Sequence, residues 1–187
     1  MKKAWIIIII IVVLIGGFIW STYNKLVSSS ESIDNQWAQV ETQYQRRFDL
    51  IPNLVDSVKG AMAQEQKVFG DLAAARANYA GAQNSNQKAG AATEVEGALS
   101  RLLVVMENYP ELKSTETVQT LMAQLEGTEN RVSVERKRYN DEVKVFNVLV
   151  KRFPSNMIAN SLGYAERAYF EAIEGSEVAP TVDLQLN

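Results

Sequence analysis

STETVQTLMAQLEGTENRVSVERKRYNDEVKVFNVLVKRFP, residues 114–154, decides the fold. Within it Val118, Leu125, Val132, Tyr139, Phe146 and Phe153 recur at an unbroken interval of seven. That interval keeps an apolar seam on one side of an α-helix and argues for long helices packed as in a coiled coil. No strand alternation with a period of two competes with it. Phe153-Pro154 ends the run, because the residue before a proline is driven out of the helical region. The stretch predicts a helix from about Ser114 to Arg152, with a shorter helix over 156–172 folding back on it.

The same reading extends toward the N-terminus. Ala92, Val95, Leu99, Leu102 and Met106 form a second helical stripe that stops at Tyr109-Pro110. GAQNSNQKAG, residues 81–90, is small and polar and predicts a loop. Before it a third stripe runs Ile33, Trp37, Val40, Tyr44, Phe48, Ile51, Val55, Val58, Met62, Phe69, Leu72, Arg76, Tyr79. Two successive steps of four around Tyr44–Phe48 make a stutter, which locally unwinds a supercoil. The stripe keeps phase through Pro52, so Pro52 reads as a kink in one helix from about Ser28, where Ser28–Ser30 offer capping hydroxyls, to Tyr79. The alternative puts Pro52 in the first turn of a separate helix. The expected fold class is all-α: an N-terminal transmembrane helix followed by an antiparallel bundle of long helices.

AWIIIIIIVVLIGGFIW, Ala4–Trp20, carries no charge. At 1.5 Å per residue, Trp5 to Tyr23 spans about 27 Å, close to the hydrocarbon thickness of a bilayer. Trp5, Trp20 and Tyr23 bracket it, as interfacial aromatics do. A cleaved signal peptide would need small residues after the apolar run, and Phe18–Tyr23 is bulky, so the segment reads as an uncleaved anchor. Lys2 and Lys3 precede it and only Lys25 follows closely. The positive-inside rule then gives a cytoplasmic N-terminus and a domain in the periplasm or otherwise outside the inner (cytoplasmic) membrane. The expected division is 1–23 cytoplasmic start and anchor, 24–173 helical bundle, and 174–187 a tail without periodicity.

Composition excludes much chemistry. The 187 residues include no Cys and no His. There can be no disulfide, thiol nucleophile, imidazole base, Cys/His zinc site or lipidated cysteine. Nineteen basic against 22 acidic residues argue against nucleic acid as a partner. No cofactor motif and no Gly-rich phosphate loop occurs in the sequence.

Six segments resemble the LemA family of small membrane-anchored bacterial proteins. They are YNKLV (23–27), RRFDLIPNLVDSVKG (46–60), AAARA (73–77), ALSRLLVVMENYPELK (98–113), LEGTENRVSVERKRYND (125–141) and FPSN (153–156). The resemblance implies one N-terminal membrane helix, an antiparallel bundle and no known enzymatic activity. It also includes a member of the set of proteins that build magnetosome membranes, which favours a role in membrane organisation. One departure is Gln64, where the family often carries a histidine.

The polar residues within these motifs are candidates for a site. Arg46, Arg47 and Asp49 lie beside the stutter and Pro52; Glu129, Asn130, Arg131, Glu135 and Arg136 interrupt the seam of residues 114–154. The plainer reading is a structural polar layer, in which Arg46 or Arg47 pairs with Glu129 or Glu135 and Asn130 or Asn140 satisfies backbone. The sharper reading is partner recognition by an exposed part of that layer. The stripe running to Tyr79 outreaches the helix after residue 90, leaving Ile33, Trp37, Val40 and Tyr44 bare unless a partner covers them. A bend at Pro52 closing the bundle on itself, a neighbouring subunit, or one long hairpin past Pro110 would each resolve this. The expectation is self-association through these four residues. The functional reading is a membrane-tethered, self-associating scaffold that organises envelope proteins or membrane without catalysis. The alternative is an adaptor docking on a membrane enzyme such as a protease.

Overall fold

The computed structural model describes residues 2–170, so the tail read over 174–187 lies outside the described residues. The chain is all-α, with no strand among the described residues. Helix α1 runs Lys2–Val58, α2 Gln66–Gly81, α3 Ser85–Val105, α4 Pro110–Lys113, α5 Glu116–Lys151 and α6 Ser155–Ser161, with a 3-10 turn at Met106–Asn108.

The apolar N-terminal run and the first bundle helix are one element of 57 residues, about 85 Å long. A helix start at Ser28 is therefore corrected. No residue but Pro52 between Phe18 and Val58 is a strong helix breaker, and Ser29 is buried against the bundle instead of capping. Pro52 lies inside α1, which continues through it to Val58.

The end expected at Tyr79 is also corrected. The chain reverses over residues 59–65, and α2 returns antiparallel to α1, bringing Tyr79 within 4.7 Å of Phe48 and 6.0 Å of Tyr44, ring to ring. Gly60, with its low helix propensity, lies in the reversal, and fully buried Met62 fills the top of the core. Met62 keeps the apolar phase across the turn, which is why the stripe looked continuous.

Helix α3 starts at Ser85, inside the segment expected to be a loop. The Asn84 side chain accepts the Gln87 N–H at 2.9 Å, and Gln87 Oε1 accepts the Gln83 N–H at 2.9 Å. This reciprocal arrangement is a near relative of the capping box and starts the helix despite its polar composition. Helix α3 runs antiparallel to α2, pairing Lys88 with Glu41 near its start and bringing the 3-10 turn toward Glu65, whose carboxylate accepts the Tyr109 hydroxyl at 3.4 Å.

Helix α5 then returns along α1. From Leu26 to Val58 α1 is about 50 Å long, and the 36 residues of α5 give about 54 Å. The two match, so the lower stripe is covered within the chain. Leu26, Ile33 and Val40 of α1 and Val132, Val143 and Phe146 of α5 belong to one buried core. Each such apolar side chain contributes about 1.5–3 kcal/mol on burial.

The short last helix ends at Ser161, not near Ala172, and residues 164–170 run outside any helix. Two asparagines of α5 explain this. Asn147 donates to the Arg167 carbonyl and accepts the Arg167 N–H, both at 2.9 Å. Asn140 does the same for Phe170, at 3.0 and 2.8 Å. Seven residues of helix advance about 10.5 Å and three residues of extended chain about 10 Å, so two side-chain amides can hold one extended strap.

Candidate functional site: a buried charge layer across three helices

At mid-height three helices meet around one carboxylate. Glu96 of α3 is buried, and its carboxylate accepts from Arg136 of α5 at 2.9 and 3.1 Å and from Arg47 of α1 at 3.3 Å. Arg47 also pairs with Glu129 of α5. The Tyr44 hydroxyl accepts from Arg136, through Nε at 2.7 Å and through a second contact from its Nη2. The Arg136 guanidinium lies over the rings of Tyr44 and Phe170, 5.3 and 5.4 Å from their centroids.

Burial pushes the Glu96 carboxyl above the ordinary carboxylate range. Arg136 and Arg47 pull the other way, Glu129 adds repulsion, and the loss of water outweighs the two cations. Burial likewise raises the Tyr44 phenol, so it stays protonated at neutral pH. Tyr79, nearby, is pushed up to about 12 by burial and by the charge of Glu41. Arg47 Nε is buried without an acceptor. The layer is thus expensive in desolvation and incompletely satisfied.

The structure separates the residues singled out in the sequence. It brings together Arg47, Glu129, Arg136 and Tyr44. Arg46, Asn130 and Arg131 are exposed and outside the cluster, and exposed Asp49 accepts from Gln45 at 2.8 Å. Glu135, next to Arg136 in sequence, is turned out of the cluster, accepting from Gln36 at 2.7 Å and from Arg138 at 2.9 Å. Glu96, the centre of the layer, was missed. Its signal was available: it lies four residues after Ala92 and three before Leu99, on the apolar face of its helix.

The expectation that Ile33, Trp37, Val40 and Tyr44 stand bare is corrected. Ile33, Val40 and Tyr44 are buried, and Trp37 is half-buried, stacked on Phe170 at 5.5 Å and edge-on to Tyr139 at 5.9 Å. What stays exposed on α1 is the apolar run before the bundle, including Trp5, Trp20 and Tyr23.

One side of the layer opens outward. A surface groove of about 540 Å³ is lined by Leu99, Leu103, Met122 and Leu125, with Arg47 and Glu129 at one end and Lys113 also on its wall. Glu129, its side chain 44% exposed, is the most exposed member of the charge layer.

Comparison with known proteins connects this architecture to a membrane. Magnetosome proteins MamQ 1 and MamQ 2 of Paramagnetospirillum magneticum are each 26% identical to the chain over 175 residues, covering 80% of it and 64% of the relative. Magnetosome protein MamQ of Magnetospirillum gryphiswaldense is 24% identical over 174 residues, covering 79% of the chain and 64% of the relative. The chain thus spans a little under two thirds of the length of these curated relatives. Together with the exposed apolar N-terminal run, these relatives support a membrane location. The LemA family profile matches residues 36–184, a stretch that contains every residue of the charge layer and the strap, and the chain belongs to the LemA family.

Proposed function

We propose that the chain is a single-pass scaffold of the bacterial inner membrane, with its N-terminus cytoplasmic and its bundle outside, that self-associates and organises envelope proteins or membrane without catalysing a reaction. The observation that carries this reading is the continuity of α1. One helix is both the anchor and the spine of the bundle, so the domain is held upright as a rod with no flexible linker at the membrane. A tether built this way fixes the height and direction of whatever it presents.

Further support comes from the charge layer, whose carboxylate is taken up by two arginines and whose phenol is taken up by one of them. Groups committed in this way hold helices in register. The magnetosome proteins named above favour a part in shaping or populating a membrane. Because Ile33, Val40 and Tyr44 are covered, self-association is assigned to the exposed anchor, where Gly16 and Gly17 have open space beside them. Lys2 and Lys3 before the anchor, against Lys25 after it, set the orientation.

The adaptor reading keeps one specific feature: the open groove beside Arg47 and Glu129. Extraction of the full chain in mild detergent, followed by sedimentation, separates the two. A scaffold sediments as a homo-oligomer without added partners. A monomer that enters a larger particle only together with a membrane enzyme overturns the scaffold and supports the adaptor.

A further inference from the structure

The base of the bundle lies where the membrane surface must be. Trp37 of α1 meets Tyr139 of α5 at 5.9 Å, and Arg47 pairs with Glu129, which fixes an antiparallel register between the two helices. Fourteen residues separate Trp37 from Tyr23, and fourteen separate Tyr139 from Phe153. At equal rise per residue Lys151, the last residue of α5, comes level with Lys25, and Phe153, two residues further on, reaches the height of Tyr23, just above the last residue of the apolar run, Trp20. Two independent observations agree. Val145 and Leu149 of α5 line one surface hollow with Trp20, Ser21 and Lys25 of α1. Thr22 and Leu26 are buried, so the bundle closes around α1 down to that height.

At this level the turn between α5 and α6 exposes Phe153 at 74% and Met157 at 65%, while Ser155 and Ala159 on the other face of α6 are buried. Two large apolar side chains four residues apart, turned away from the core, are costly in water and favourable at a lipid interface. Lys151 and Arg152 immediately precede them and are exposed. Lys151 pairs with Glu166 at 2.8 Å, while Arg152 has no carboxylate partner among the described residues. An apolar pair with a cation beside it is the composition that enters headgroups and contacts lipid phosphate.

We propose that the α5–α6 corner, through Phe153 and Met157 with Arg152 beside them, is a second membrane contact that enters the headgroup region of the same leaflet from which α1 emerges. The occupant is lipid because the surface is continuous with the interfacial end of the anchor, Trp20 and Tyr23. The inference rests on α1 crossing the bilayer. With two points of contact the rod cannot pivot about α1, and the direction in which the groove beside Glu129 faces is fixed relative to the membrane plane.

The chain has no cysteine, so single-cysteine variants can be spin-labelled directly. Met157→Cys, Ile9→Cys in the anchor and Gln64→Cys in the exposed upper turn would be made in the full chain. Each is reconstituted at high dilution in phosphatidylethanolamine–phosphatidylglycerol vesicles, with nickel chelate on both sides. The expected result is collision preference for oxygen over chelate at Met157→Cys, intermediate between Ile9→Cys and Gln64→Cys. A Met157→Cys label as open to chelate as Gln64→Cys, with Ile9→Cys still protected, overturns the second contact and leaves the anchor intact. Protection at Met157→Cys that appears only when copies are crowded assigns the corner to a neighbouring chain and also overturns it. Chelate access at Ile9→Cys would instead refute the spanning helix itself.

Discussion

Replacing Glu96 alone should be far more damaging than replacing the whole charge layer. Glu96→Leu leaves Arg136 with only the Tyr44 hydroxyl and Arg47 with only Glu129. The Arg47 and Arg136 side chains are 10% and 19% exposed, so neither guanidinium can be rehydrated in place. Breaking a buried pair in this way costs about 3–5 kcal/mol. For a chain of this size that lowers the melting temperature by roughly 10 °C. The compensated variant carries Tyr44→Phe, Arg47→Met, Glu96→Leu and Arg136→Met. It removes every buried ion and the hydroxyl that would lose its donor, and it leaves Glu129, which is half in solvent, to water. Because burial already outweighs both arginines at Glu96, this variant should unfold within about 1 kcal/mol of the native chain or above it. The assay is thermal and denaturant unfolding of the full chain in detergent, followed by circular dichroism. The reasoning fails if the fourfold variant is as unstable as the single one, since the ions would then add net stability. It also fails if Glu96→Leu alone costs less than about 1 kcal/mol, since Glu96 would then not be buried between cations.

Three further outcomes follow from the same geometry. A carboxyl raised by burial contributes stability in its protonated form, below its ordinary value of 4.5, and loses that contribution as pH rises through its folded value. The melting temperature of the native chain should therefore fall relative to Glu96→Gln as pH rises above that range, and a constant difference across pH would refute the burial argument. Asn140→Leu with Asn147→Leu removes the four hydrogen bonds that hold the strap; trypsin should then cut after Arg167 well before it cuts the helices, whereas unchanged protection would show that Phe170 and Tyr164 hold the strap by packing alone. Trp37→Ala strips the contacts to Tyr139 and Phe170 and should lower stability by about 2–4 kcal/mol without changing the sedimentation of the assembly; a dispersed but fully stable protein would restore Trp37 to an interface between chains.

The sequence by itself determined the elements that depend on local pattern. The heptads from Val118 to Phe146 set α5 within two residues of its observed ends, and Phe153-Pro154 stopped it there. The uncharged run to Trp20 and the absence of strand periodicity gave an all-α chain that opens on one long apolar helix. Periodicity names a buried face but not what covers it, and there the tertiary structure decided. Met62 keeps the apolar phase through a reversal, so the pattern reads as one helix where the chain turns back from α1 into α2. The partner of Arg47 depends on which helices meet at its height, and that depends on where the chain turns back. Glu96 was legible as a carboxylate on an apolar face, yet only the meeting of α1, α3 and α5 gives it two arginines. The strap over residues 164–170 has no pattern of its own because its backbone is satisfied by Asn140 and Asn147, side chains of another element. Those pairings form only once α1 and α5 lie side by side, and no local stretch of chain encodes them.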